Sequence, residues 1–245
     1  MQQPILWVFS ISHYCEKARW ALDYLGIDYQ LKIMIPGPHL AAARKHGLRR
    51  GSLPILQLGD EVIQGSSAII DWAEANATNG KSLACATPDA AAIEQRLDDE
   101  VGVHVRRLFY SEALVEQPQI VKPVFMKNLG WLDKLKLQLS WPMVRKKMIQ
   151  FMDLGKQQGD ESQAILEAEL DWLDGLLADG RRYLVGEQFS RVDITAASLL
   201  ARIVVPDEYP TRDGFSHPPR LSQVAAEWRQ RPALQWVLGM YAQHR

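Results

Sequence analysis

Ile5 to Phe9 is a short unbroken apolar run, the pattern of a buried strand. Ser10 to His13 interrupts it. Cys15, Ala18, Ala21, Leu22 and Leu25 then recur at helical spacing until Gly26 supplies a stop. Ile27 to Ile35 predicts a second strand, Pro36-Gly37-Pro38 a loop, and Leu40 to His46 a short helix. Pro54 to Leu58 and Glu61 to Ile63, separated only by Gly59-Asp60, predict a tight hairpin. Ser66 is expected to cap a helix that buries Ala68, Ile69, Trp72 and Ala73. A strand–helix–strand unit needs a right-handed crossover, so these four strands are expected to form one mixed sheet.

The pattern changes after Asn76. Residues up to Pro88 are small, polar and turn-rich, and the remainder of the chain shows helical periodicity with no further hairpin signal. Helices are expected at about 89–116, in a Pro-interrupted region 119–154, and at about 160–179, 191–205 and 221–243. The predicted organisation is an α/β domain over 1–78, a linker over 79–88 and an all-α domain over 89–245.

Composition narrows the classes. With 47% hydrophobic and 23% charged residues, the 245-residue chain has the make-up of a globular protein. A net charge of -1 without a long basic block argues against nucleic acid as partner. Two cysteines, Cys15 and Cys85, are too few for a disulfide framework or for a structural zinc site by themselves, so no metal is expected. No secretory signal pattern and no apolar run of membrane-spanning length is visible. A cytoplasmic location is expected and membrane contact is not. Lys127, Lys134, Lys136, Arg145, Lys146 and Lys147 are read as a solvated basic helix surface, with a membrane or a partner protein as the other reading.

The stretch Ser12-His13-Tyr14-Cys15-Glu16-Lys17-Ala18-Arg19 lies where the first strand passes into the first helix. Unpaired N–H groups and the helix dipole favour an anion at such a place, a thiolate included. Ser12 can hydrogen-bond a bound thiolate or simply cap the helix. Ser10 competes for that role, but Ser12 stands three residues before Cys15, the spacing of the redox motif. Cys15 at that position is expected to turn into the helix and serve structure, with a secondary thiol role as the alternative. His13 reads as a surface loop residue. Pro54 either opens its strand or forms a cis bond that leaves the Leu53 backbone to pair with a peptide-like ligand. Ser66 can cap its helix or, with the following N–H groups, bind a carboxylate. Ser190-Arg191-Val192-Asp193, flanked by Phe189 and Ile194, reads as a capping box with a hydrophobic staple.

In this order and spacing, Ser12-x-x-Cys15, Leu53-Pro54 and Ser66-Ser67-Ala68-Ile69 resemble the thioredoxin-fold half of the glutathione S-transferases. The run Cys15 to Asp23 looks like bacterial members, and the N-terminal half is also similar to prostaglandin E synthase type 2 and the glutaredoxins. There a Cys stands where this chain has Ser12, so a dithiol cycle is ruled out here. The superfamily also carries the Ser190-x-x-Asp193 device on a central helix. The resemblance implies a thioredoxin-like four-stranded sheet followed by an all-α helical bundle, and glutathione as co-substrate. It implies Ser12 as the group activating the glutathione thiol, Leu53 and Pro54 beside the cysteinyl part, and Ser66 with Ser67 at the γ-glutamyl carboxylate. A small electrophile would meet the thiolate, with His13, Arg107 and Tyr110 as expected pocket residues, in a homodimer. The other readings are a glutathione-dependent isomerase or thiol transferase, and a non-catalytic scaffold. Three departures stand out: Gly65 replaces the acidic or amide residue that usually precedes Ser66, His13 replaces the usual proline, and the first strand, with Trp7 and Phe9, lacks the Tyr that some classes use.

Overall fold

The computed structural model describes residues 3–127, 129–213 and 216–245. It divides into two compact units: residues up to Leu83 together with Phe125–Val144, and Ala84–Val124 together with Arg145–Arg245.

The first unit begins with β1 (Ile5–Val8), α1 (His13–Tyr24), β2 (Gln30–Ile33), α2 (Pro38–Lys45), β3 (Ile55–Leu58), β4 (Glu61–Gln64) and α3 (Ser66–Ala75). The strands form one sheet in the order β2-β1-β3-β4. β1 runs parallel to β2 and antiparallel to β3, and β3 pairs antiparallel with β4. This is the mixed sheet the pattern predicted. Leu58 pairs with Glu61, so Gly59-Asp60 is the two-residue loop, and Gly59 takes a φ of 64°. Side chains alternate across the sheet. Trp7 and Ile55 cluster with Ala43 of α2, while Leu6, Val8 and Leu56 are equally buried on the opposite face. α1 packs beside α3 and ends where expected, with Gly26 at a φ of 72°.

One local expectation is corrected. Ser66 does not cap α3; Gly65 holds the cap position with a φ of 99°, and Ser66 is already the first helical residue. A positive φ lets the chain leave β4 and enter the helix within one residue, which Gly does without steric cost.

The second unit is helical. α4 (Ala90–Arg96) and α5 (Val103–Tyr110) are joined and followed by π-helical stretches, Leu97–Gly102 and Ser111–Glu116. Then come α6 (Pro118–Met126), α7 (Trp131–Phe151), α8 (Lys156–Leu177), α9 (Arg191–Val204), α10 (Pro219–Trp228) and α11 (Pro232–His244). The single helix expected over 221–243 is two, because Pro232 has no N–H to continue the ladder and becomes the first residue of α11. α9 is buried from Val192 to Val204 and forms the centre of this unit. Its capping box is complete: Ser190 Oγ accepts from Val192 N–H at 3.3 Å, and Asp193 accepts from Ser190 N–H at 2.8 Å. Phe189 is buried at its entrance and stacks on His244 with ring centroids 4.0 Å apart.

α6 and α7 occupy the Pro-interrupted region 119–154. Phe125 and the first two-thirds of α7 belong with the sheet-bearing unit. Leu137, Trp141 and Val144 are the buried face of α7. Trp141 lies 6.2 Å from Phe125 and Phe125 lies 6.5 Å from Phe9, ring centroid to ring centroid.

Candidate functional site

Ser12 is the N-cap of α1, with extended backbone at φ −86° and ψ 121°. Its N–H donates to Phe9 O at 3.0 Å, which fixes the residue to the end of β1. Its Oγ accepts from Cys15 N–H at 3.3 Å. The hydroxyl therefore serves as a cap, and it lies close enough to the Cys15 thiol to favour that group's anion. Of the two roles weighed from sequence, the capping role is the one this geometry shows.

Cys15 is buried at 1% exposure. Burial pushes its thiol up to about 11, and the opposing pull of the Ser12 hydroxyl, the Phe9 backbone and Arg19 is smaller. Such a thiol stays protonated at neutral pH and is no nucleophile. His13 corrects an expectation: it is no surface residue but the first residue of α1, 2% exposed, with its ring 4.6 Å from that of Tyr14. The helix begins directly after Ser12, and this turns the imidazole inward.

The Leu53-Pro54 peptide is cis. Pro54 O accepts from Gly65 N–H at 3.0 Å, so the turn before β3 and the turn before α3 lie side by side. Gln64 ties them further: its Nε2 donates to Arg50 O and to Ser52 O, each at 2.8 Å. That amide is therefore engaged in holding the loop. Gly65 contributes no side chain, and a Cβ built there would meet nothing within 4 Å.

Ser66 is 7% exposed at the start of α3. The next residue, Ser67, accepts from Lys17 Nζ at 3.1 Å. Lys17 is fully buried. It thus carries a basic group from α1 to the first turn of α3, where backbone N–H groups already favour an anion. Sequence reading passed over Lys17. The signal was present, since it lies two residues beyond Cys15 on the same helix, but its burial depends on α3 being packed alongside.

The expected pocket residues of the second unit have partners there. Arg107 donates to Asp153 O at 3.0 Å and to its carboxylate at 2.6 Å. Tyr110 is buried, with its ring 5.0 Å from that of Phe109 and 5.7 Å from the Arg202 guanidinium. Within the first unit an aromatic series begins beside Ser12. Phe9, whose carbonyl receives the Ser12 N–H, is edge-on to His39 at 4.8 Å and is followed by Phe125 and Trp141. Among the described residues, no cluster of three or more His, Cys, Asp or Glu side chains is placed to hold a metal ion.

Comparison with known proteins bears on the family and the fold. The family model for the glutathione S-transferase N-terminal domain matches residues 6–81, and that for the C-terminal domain matches residues 156–235. No curated protein matches by sequence. Among solved structures, the β-etherase LigF from Sphingobium sp. strain SYK-6 is 17% identical, with a TM-score of 0.59 over 97% of this chain and 99% of that one. Glutathione transferase GSTFuA3 from Phanerochaete chrysosporium is 13% identical, with a TM-score of 0.67 over 100% of this chain and 98% of that one. A glutathione S-transferase from Methylobacterium radiotolerans, solved in complex with glutathione sulfonate, is 20% identical, with a TM-score of 0.54 over 97% and 95%. At these identities the structural likeness shows the shared fold. The two family models between them cover more than half of the residues, in the order the superfamily requires, and the chain belongs to the glutathione S-transferase superfamily.

Proposed function

We propose that the protein is a glutathione transferase in which Ser12 stabilises the glutathione thiolate for attack on a small apolar electrophile. The observation that carries this reading is the Ser12 geometry. Its oxygen is fixed by Cys15 N–H at the N-terminus of α1 on the family's scaffold, where a hydroxyl can donate to a bound thiolate. In this reading the Leu53-Pro54 turn lies beside the cysteinyl part of the tripeptide. The first turn of α3, with Ser66, Ser67 and the Lys17 amine behind them, takes the γ-glutamyl carboxylate. Gly65 brings no carboxylate to the ligand's amino group, so the site grips the acid end of that residue more than the amine end. The thiolate sulfur forms a bond to the electrophilic carbon, the leaving group departs with the electron pair, and catalysis is thiol activation plus proximity.

The aromatic series Phe9, Phe125 and Trp141 supports an apolar partner for the thiolate. Two solved relatives point the same way for glutathione itself: one was crystallised with glutathione sulfonate and another, glutathione S-transferase-I, with lactoylglutathione. Thiol transfer through Cys15 is disfavoured by its burial and raised pKa. A cytoplasmic homodimer completes the reading.

The test is calorimetric titration with glutathione. Saturable binding is expected, weakened by Ser66→Ala. Ser12→Ala is expected to bind glutathione but to lose the ultraviolet absorbance of the thiolate at neutral pH. Absence of binding at millimolar glutathione would reject the proposal in favour of a scaffold role.

A further inference from the structure

α7 is apolar on two opposite faces. Leu137, Trp141 and Val144 form the buried one. At 3.6 residues per turn, Trp131, Leu135, Leu139 and Met143 succeed one another at four-residue steps on the far side of the helix, roughly 180° from that face, with Leu132 beside them. They are exposed by 74%, 51%, 76% and 58%, and Leu132 by 52%. Among the described residues, six of the eight exposed large apolar side chains lie on this one helix, Phe151 being the sixth. Scattered surface apolar residues need no explanation, but a continuous stripe does.

The charge on the helix narrows which kind of surface would match the stripe. α7 carries five basic residues and a single acidic one, Asp133, in a chain whose net charge is -1. Arg145 is engaged with the carbonyls of Leu114 and Val115, and Lys136 pairs with Asp133 at 3.3 Å. Lys134, Lys146 and Lys147 are exposed, the last two three and four residues beyond Met143 and so on its side of the helix. A second copy docked by a two-fold axis would set this basic helix against itself, bringing like charges together as the apolar stripe was buried. A helix with leucines and a terminal tryptophan among lysines is instead matched by a surface that is apolar below and anionic above. No described helix is long and apolar enough to cross a membrane, so the contact would be peripheral.

We infer that the outer face of α7, Trp131 to Met143 with Lys146 and Lys147, docks the protein on an anionic lipid surface. This favours the second of the two readings of the segment over a merely solvated basic helix. It also gives the two faces of α7 related work. The outer face rests on lipid, and the inner face continues through Trp141 and Phe125 to Phe9 beside Ser12. Electrophiles that partition into lipid are the substrate class this arrangement serves, and that substrate class, unlike the docking itself, rests on the transferase reading.

The experiment is flotation of the full chain with phosphatidylcholine vesicles, with and without about one-third phosphatidylserine, at low and high salt. Binding is expected to the anionic vesicles at least tenfold over the neutral ones, and to fall steeply with salt. Leu135→Asp with Leu139→Asp should abolish it, and Lys146→Glu with Lys147→Glu should remove the anionic preference. Trp131→Phe should remove most of the fluorescence shift on vesicle addition. Circular dichroism and glutathione titration of the same variants should match the parent, so failure of lipid docking is distinguishable from failure of the transferase reading. Equal binding to neutral vesicles, or none to anionic vesicles at low salt, overturns the inference. So does a dimer seen by light scattering that the Leu135→Asp, Leu139→Asp variant dissociates, since a second copy would then be the occupant.

Discussion

At the scale of single residues, backbone position decides more than side-chain identity. Cys15 occupies the second position of a motif that elsewhere does redox chemistry, yet its thiol is buried and held protonated. Cys85 sits half-buried in a loop, with its sulfur 3.1 Å from the Thr87 hydroxyl. An aromatic disulfide reagent should therefore modify one thiol per native chain at neutral pH and both in denaturant, and Cys85→Ser should leave none reactive in the native state. Rapid modification of the Cys85→Ser protein would contradict the burial of Cys15. Gly65 offers a cleaner separation of causes. Its φ of 99° is costly for any L side chain, while the space around a Cβ is empty. Gly65→Ala is expected to lose about 1–3 kcal/mol of unfolding free energy, as conformational strain with no clash. An unchanged denaturation midpoint would show that the turn relaxes.

At the scale of elements, the start of α9 is the most heavily determined local structure in the second unit. Asp193 accepts from Leu184 N–H, Ser190 N–H and the Ser190 hydroxyl at 2.8, 2.8 and 2.9 Å. Burial nevertheless raises its carboxyl to about 6, because those donors offset only part of the lost solvation. An unfolded Asp titrates near 3.9, so between the two values the folded state keeps a proton that the unfolded state has released. Stability from this group is full below about pH 4 and declines as pH rises through about 6, by up to about 3 kcal/mol for a shift of this size. Wild type should lose unfolding free energy relative to Asp193→Asn across that window, and parallel pH profiles would reject the assignment. Ser190→Ala removes both the cap on Val192 N–H and a donor to the buried carboxylate. It should cost about 2 kcal/mol, the upper end for an N-cap, in a denaturation experiment.

For the whole molecule, the periodic and punctuated parts of the chain were legible from sequence. The run Ile5–Phe9, the Gly59-Asp60 hairpin, the Gly26 stop and the Ser190 box each depend on neighbours within a few residues. The mixed sheet followed from the crossover rule once its strands were placed. The order Ser12, Leu53-Pro54, Ser66 was enough to point to the superfamily. Local pattern failed where distant segments compete for the same residue. Ser66 has the chemistry of a cap, but the turn out of β4 gives that position to Gly65. His13 has the composition of a loop residue, but the start of α1 turns it inward. Sequence by itself determined the element types, the sheet-then-helices fold class and the superfamily, because propensity, periodicity and turn chemistry act locally. Only the tertiary structure decided that Lys17 is buried against Ser67, that Trp141 and Phe125 join Phe9, and that α7 has one apolar face covered and another bare. Those outcomes are set by packing between segments dozens of residues apart, which no local pattern encodes.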